Sequence, residues 1–348
     1  MAYSSIVKPE DYFNTKLYDG NGTTNTAITG VGFQPDWLWV KARDMTYDHN
    51  IFDAVRGSTK RIATNLTDAE STQAEMIKSF ASDGFNLGDN GGVNQNTKIY
   101  VAWNWKANGA GSANTDGSIN TTATSVNTTA GFSIVSYTGT GSLATVGHGL
   151  GATPGLLIIK NRNTTNGWEV YHKSLGNTKY MQLHTNGTGG TSATRWNDTS
   201  PTNSVFTVNT EDGVNKSGNN MIAYCFAEKK GYSKFGSYRG NGSTNGTFIY
   251  TGFKPAFVIT KKTSGTGDWM IRDNKRDFNG SWRDLYANNT NAETSPDSNT
   301  QSDLLSNDFK LRMTHTNHNE DGGDYIYMAF AEEPLVANVG ASIPATAR

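Results

Sequence analysis

Gly32-Phe33-Gln34-Pro35-Asp36-Trp37-Leu38-Trp39-Val40-Lys41 returns twice, as Gly151-Ala152-Thr153-Pro154-Gly155-Leu156-Leu157-Ile158-Ile159-Lys160 and as Gly252-Phe253-Lys254-Pro255-Ala256-Phe257-Val258-Ile259-Thr260-Lys261. Each copy reads as a turn, a proline, one small or acidic residue, an apolar run and a lysine. Proline fixes φ and carries no N–H, so it suits the start of a strand, and a short unbroken apolar run suits a strand buried on both faces. The lysine is expected to carry the strand end out to water. Where the first copy has Trp37 and Trp39, the others have Leu156 and Ile158, then Phe257 and Ile259. Positions that accept indole, phenyl and aliphatic groups alike call for apolar volume, so the stretch is expected to be a central core strand.

Three further features recur in the same order around this strand. A tyrosine with a Gly-rich turn opens each copy: Tyr18-Asp19-Gly20, Tyr137-Thr138-Gly139 and Tyr238-Arg239-Gly240. A Phe strand follows, at Phe85, Phe206 and Phe309, and then an aromatic closing strand, at Ile99–Trp105, Met221–Phe226 and Tyr325–Phe330. The period of roughly 100 to 120 residues is too long for a solenoid and fits a small sandwich domain. The expected fold is therefore all-β, as three tandem β-sandwich modules of jelly-roll-like type. Their expected bounds are an arm at 1–11, modules at 12–108, 131–230 and 231–333, a Ser/Thr/Asn/Gly linker at 109–130 and a tail at 334–348. Helical signal is sparse, the best candidate being Asp68–Phe80, with apolar Ala74, Ile77 and Phe80 behind an acidic start.

Composition agrees with short strands joined by polar turns: 38 Gly and 38 aromatic residues stand beside only 18% charged residues. A formal net charge of -1 gives no global field toward nucleic acid or an anionic membrane. Cys225 is the only cysteine and sits in an apolar run, which excludes an intramolecular disulfide and points to a buried thiol. No apolar stretch is long enough to span a membrane. The start of the chain lacks an apolar leader core, so synthesis in a reducing cytoplasm is expected.

Candidate chemistry is thin. Trp103 and Trp105 match Tyr224 and Phe226, then Met328 and Phe330, and are expected in the core. Trp196 and Trp282 lie in polar segments outside the repeated strands and, with Tyr286, are the candidate stacking platforms for a sugar, whose C–H face complements an aromatic face. Asp53 with Arg56 recurs as Asp273 with Arg276, whereas the middle copy has His172 and Leu175; a turn-stabilising ion pair explains this more economically than a glycosidase carboxylate pair. The segment His315–Asp324 gathers possible ligands but has neither calcium-loop nor zinc-hydrolase spacing and is expected to form a hairpin turn. No catalytic residue, metal ligand or cofactor can be named.

The opening Tyr12–Tyr18, the Gly-Phe-x-Pro strands, Ser82-Asp83-Gly84-Phe85, Tyr100–Lys106, Gly236–Gly242 and the terminal Ile343–Arg348 together resemble a family of structural proteins of marine tailed bacteriophages, built from tandem β-rich domains. The resemblance covers nearly the whole chain. It implies a non-enzymatic virion protein exposed on the particle as a fibre, receptor-binding or capsid-decorating component. Its implied partners are other tail or capsid proteins and a host surface glycan, without nucleic acid, and its implied assembly is a homo-oligomer such as a trimer. The unrepeated arm suggests Ile6, Val7 and Pro9 as the docking contact with the particle. The middle copy departs most from the family pattern, with Gly-Ala-Thr-Pro and His172. A carbohydrate-binding module and a polysaccharide depolymerase stand as rival readings.

Overall fold

The three Pro strands become Trp37–Ala42, Pro154–Asn161 and Phe253–Lys262, each in the interior of a large antiparallel sheet. This is seen in a computed structural model that describes residues 4, 6–276, 283–298 and 300–334. One strand order recurs three times. Opening strand, closing strand, Pro strand and the next strand lie side by side as Phe13–Asp19, Ile99–Trp105, Trp37–Ala42 and Asn50–Asp53 in the first module. The second module repeats it with Phe132–Thr138, Asn220–Ala227, Pro154–Asn161 and Trp168–His172, and the third with Ser233–Arg239, Asp324–Pro334, Phe253–Lys262 and Trp269–Asp273. A small sheet covers each large one, built by pairing the second strand with the penultimate, as Thr26–Thr29 pairs Gly84–Leu87. The pairings of first with last and second with penultimate are those of a rolled-up sandwich. The prolines sit at the strand start or at a register shift, where a missing N–H breaks no ladder bond.

The repeated tyrosine and glycine have one shared cause. Tyr18, Tyr137 and Tyr238 each donate through the phenol to a carbonyl of a short helical turn: Val93 O at 2.8 Å, Val214 O at 2.5 Å and His318 O at 2.9 Å. At Gly20, Gly139 and Gly240 the same turn comes so close that a Cβ would stand 2.2–2.3 Å from a backbone oxygen. An Asn at the turn's end, Asn94, Asn215 or Asn319, accepts a backbone N–H just after that glycine. His315–Asp324 is therefore no hairpin of its own; Thr316–Asn319 is the third copy of a docking turn.

Each Pro strand is buried on both faces, as its composition required, but the two faces serve different cores. In the first module Leu38, Val40, Phe52 and Tyr100 meet Ile28, Phe85 and Leu87 of the small sheet. Trp37, Trp39, Trp103 and Trp105 point the other way, into a core that all three modules share. There Trp37 stacks on Tyr224 of the second module with centroids 4.7 Å apart, Phe13 lies 5.5 Å from Phe257 of the third, and Phe226 lies 5.9 Å from Phe330. The contacts run first to second, second to third and third to first, so the modules close into a ring.

Three expectations change. The lysines do not reach water: Lys41, Lys160 and Lys261 are all fully buried, their ammonium groups held by backbone carbonyls. Asp68–Phe80 is not helical; it forms Ser71–Thr72 and Ile77–Ala81, because the pairing of Phe80 with Phe85 and the burial of Ile77 outweigh a weak local helix preference. The stretch at 109–130 is not a free linker. Ala123–Asn127 extends the second module's large sheet, and Ile119 is buried in that module's core.

A shared core predicts shared unfolding. Calorimetry of the whole chain should show one cooperative transition, not three. Trp105→Ala, which empties part of the common centre, should cost about 3–5 kcal/mol and lower the temperature of that single transition; a variant that melts only its own module would contradict the closed ring.

Candidate functional site at the module seams

The repeated Asp-x-x-Arg is a turn-stabilising ion pair, and it is also a seam. Asp53 Oδ1 accepts the Arg56 N–H at 2.8 Å while Oδ2 accepts Arg56 Nε at 2.5 Å, both side chains being sealed from solvent. Tyr224 of the second module then donates its phenol to Asp53 Oδ2 at 2.7 Å. Asp273 and Arg276 repeat the pair, and the outside donor is Trp103 Nε1 of the first module, 3.0 Å from Asp273 Oδ2. Tyr224 and Trp103 occupy one position in the repeat, and the third module has Met328 there. A thioether has no proton to give, so an aspartate facing it would lack the outside donor that completes the carboxylate at the other two seams. The second module has His172 instead, and its Nε2 reaches past Met328 to the Tyr327 carbonyl at 3.1 Å.

The outer ends of the seams are tied in a similar cyclic way. Trp168 Nε1 donates to Ala63 O at 2.8 Å across the first–second seam, Trp269 Nε1 to Gln182 O at 2.9 Å across the second–third, and Thr64 Oγ1 to Ala287 O at 2.6 Å across the third–first. Lys160 binds Thr67 O and Lys261 binds Asn186 O, each across a seam. Burial pulls all three lysines down to about 8, with Asp48, Asp68 and Asp268 respectively the first charges pushing back. Two seams also carry a bidentate Arg–carboxylate pair. Arg162 grips Glu70 at 2.9 and 3.0 Å, and Arg43 grips Glu293 at 2.9 Å through both nitrogens.

Besides the buried His172 and Met328, the copies differ at two places that are open. At the second–third seam Thr263 and Gly189 stand where the others have Arg and Glu, and a cleft of about 290 Å³ lies there, lined by Tyr180, Thr188, Thr191, Ser264 and Asp324. At the third–first seam a cleft of about 400 Å³ lies between the first and last described segments, with Lys8 and Glu10 on one side and Asn274, Glu332 and Pro334 on the other. These clefts are the candidate contact sites.

Most of the residues singled out from sequence lie elsewhere. Trp196 is 1% exposed, buried in the second module's own core against Tyr171, with its Nε1 donating to Lys179 O; a pinned loop tryptophan offers no free face to a sugar. Trp282 lies outside the described residues. Tyr286 is partly buried on the two-residue strand Leu285–Tyr286 at the third–first seam, and burial, then Asp284, push its phenol up to about 12. Ile6 is buried in the shared core; Val7, partly exposed, and Pro9, buried, both line the larger cleft. His318 belongs to a sealed cluster with Arg272 and Asp284, where burial would raise Asp284 but Arg272 and His318 hold it below the usual carboxylate range. Among the described residues no helix is long and apolar enough to cross a membrane.

A family profile described as a domain of unknown function matches residues 8–334 in one span. The chain belongs to the DUF7483 family. No curated protein matches it. The DUF7483 span takes in all three strand sets and both open seams, so the unit that the family describes is the whole ring and not one repeat.

Two outcomes test the seam chemistry of this DUF7483 chain. Asp273→Ala leaves the Arg276 guanidinium buried without its carboxylate and should cost about 3–5 kcal/mol in denaturant unfolding. His172 gives a pH dependence. Burial lowers it from 6.5 to about 4, and its Nδ1 already accepts the Ser174 N–H, so protonation breaks a bond. Between those values the unfolded histidine binds a proton that the folded one refuses. Stability therefore falls as pH drops through this window, by about 3 kcal/mol for this group. His318, lowered to about 4 chiefly by burial, adds a similar slope. Burial also lowers His49, His148 and His184, so His172→Gln, which keeps a donor for Tyr327 O without titrating, should remove a part of the acid slope well short of half; an unchanged slope would show that His172 does not contribute to it.

Proposed function

We propose that this chain is a non-enzymatic structural protein of a tailed-phage particle, carried on the outside and made to touch the host surface through its seam clefts. The reading is supported first by the sequence resemblance to tandem β-rich phage structural proteins. The single structural observation that favours it is how the repeated ionisable residues are spent. Asp53, Asp273, Arg56 and Arg276 are sealed between modules and tie one module to the next, which suits a rigid body better than a reaction centre. Two clefts on the seams, at places where the copies differ, are left open, and there rigidity is useful for presentation. Other virion proteins are the expected partners, and the partly exposed Val7, with the exposed Lys8 and Glu10 beside it, is where the arm would meet one.

Immunogold labelling of purified particles with antibody to the folded chain tests this directly. Gold on the outside of tails or capsids is the expected result. Particles that carry no label, from lysates that contain the protein, would overturn it.

A further inference from the structure

We infer that the cleft at the third–first seam is a binding site for a neutral saccharide unit, with Thr15 and Asn274 as its recognition residues. The inference follows from comparing one corner at three seams. At two of them a residue of one module's opening strand meets the residue after the proline of another module's Pro strand, Phe235 against Gly155 and Thr15 in one cleft with Ala256; Ile134 and Asp36 hold the equivalent positions at the first–second seam. The equivalence rests on register, since Thr15, Ile134 and Phe235 pair with Trp103, Tyr224 and Met328. It also rests on a bond seen three times at 2.9 Å, from the N–H of Ala54, Lys173 and Asn274 to the carbonyl of Asp36, Gly155 and Ala256.

Two of these corners are filled. At the second–third seam a Cβ on Gly155 would stand 3.0 Å from the Phe235 ring, and Lys173 closes the corner with an ion pair to Glu228 at 2.6 Å. At the first–second seam Asp36 turns inward, accepting the N–H groups of Ala107 at 2.7 Å and Gly109 at 3.2 Å. At the third–first seam the plug is only a threonine, Asn274 replaces the lysine, and the space remains open. The polar groups left there are incomplete. Thr15 is 6% exposed, and neither its hydroxyl nor the Asn274 Oδ1 has a hydrogen-bond partner among the described residues. Buried polar groups are rarely left so, and two of them lining one cleft mark a place for a hydrogen-bonding ligand.

The lining selects the ligand's chemistry. An amide oxygen and a hydroxyl ask for donors, and a polyol supplies several at ring spacing. Ala256, Pro9 and Pro334 line the cleft with aliphatic groups for the C–H face of a sugar ring, while Phe13 behind them is sealed into the shared core. The rim lysines Lys8 and Lys275, with Lys254 held 2.7 Å from Glu332, match Glu10, Glu332 and Glu333 one for one, so no net field draws an anion. The volume of about 400 Å³ lies within the roughly 300–1,000 Å³ of small-ligand pockets.

The biological source of the sugar, a host surface glycan, rests on the function proposed above; the site does not. The test uses the whole purified chain, a panel of methyl glycosides of neutral hexoses and N-acetylhexosamines, and binding read by calorimetry and protein-observed NMR. Saturable binding of at least one glycoside is expected. Thr15→Phe copies the plug of the second–third seam and should weaken it tenfold or more, as should Asn274→Ala, with both variants melting as the parent does. If Thr15→Phe fails to fold, Asn274→Ala and the NMR shifts of residues around Thr15 decide. No glycoside bound, or binding indifferent to both residues, would overturn the site. Gold-labelled particles with no saccharide binding would leave the virion reading standing and remove the site; binding without labelling would do the reverse.

Discussion

A strand that must hide both of its faces needs two partners, and this requirement shapes the whole molecule. Leu38 and Val40 are covered by the small sheet of their own module. Trp37 and Trp39 are not, and one module has nothing further to offer them. The only cover available is the same unsatisfied face of the other copies. Three such faces meeting around a centre bury one another, with offset and edge-to-face ring contacts such as Trp37 with Trp105 at 4.4 Å and Trp105 with Phe257 at 5.6 Å. A string of independent domains would leave three aromatic patches in water.

Closing such a ring brings charged residues inward, and each has been given a partner suited to its neighbour. The Asp–Arg pairs are affordable because an indole or phenol from the adjoining module completes the carboxylate. Where that donor is lost to Met328, the acid is lost as well and a neutral imidazole replaces it, with Leu175 in place of the arginine packing on the core. The buried lysines follow the same logic with backbone oxygens as partners. Lone charges at these depths would cost several kcal/mol each, so the matching of donors to acceptors is as much a condition of the fold as the aromatic centre.

How much of this was legible in the sequence depends on the range of each interaction. The Pro strands, the closing aromatics and the all-β class could be read because they depend on local periodicity, and the Asp53–Arg56 pair because its partners lie three residues apart. Tyr224 lies 171 residues from Asp53, and nothing local joins them. Lys41, Lys160 and Lys261 looked like strand ends in water because the carbonyls that hold them come from turns and, for two of them, from another module. Trp196 looked available because its segment is polar, but polarity along a four-residue helical turn says little about where its one indole points. Thr15 and Asn274 carried a signal in the alignment of the copies, as small polar residues where the repeats have Ile134, Phe235 and Lys173. It becomes meaningful only once the copies are known to touch at that corner.

The ring has one seam that differs from the others in kind. Peptide bonds join the first module to the second and the second to the third, but the third meets the first only through side chains and backbone contacts. Both ends of the described chain emerge there, with Lys8 and Pro334 lining a single cleft. A pull applied between Lys8 and Pro334 would load that seam most directly, through Trp103 on Asp273 and Arg43 on Glu293, with the second module and its two seams as the longer parallel path. In mechanical terms the molecule is a clasp, and that seam is its catch.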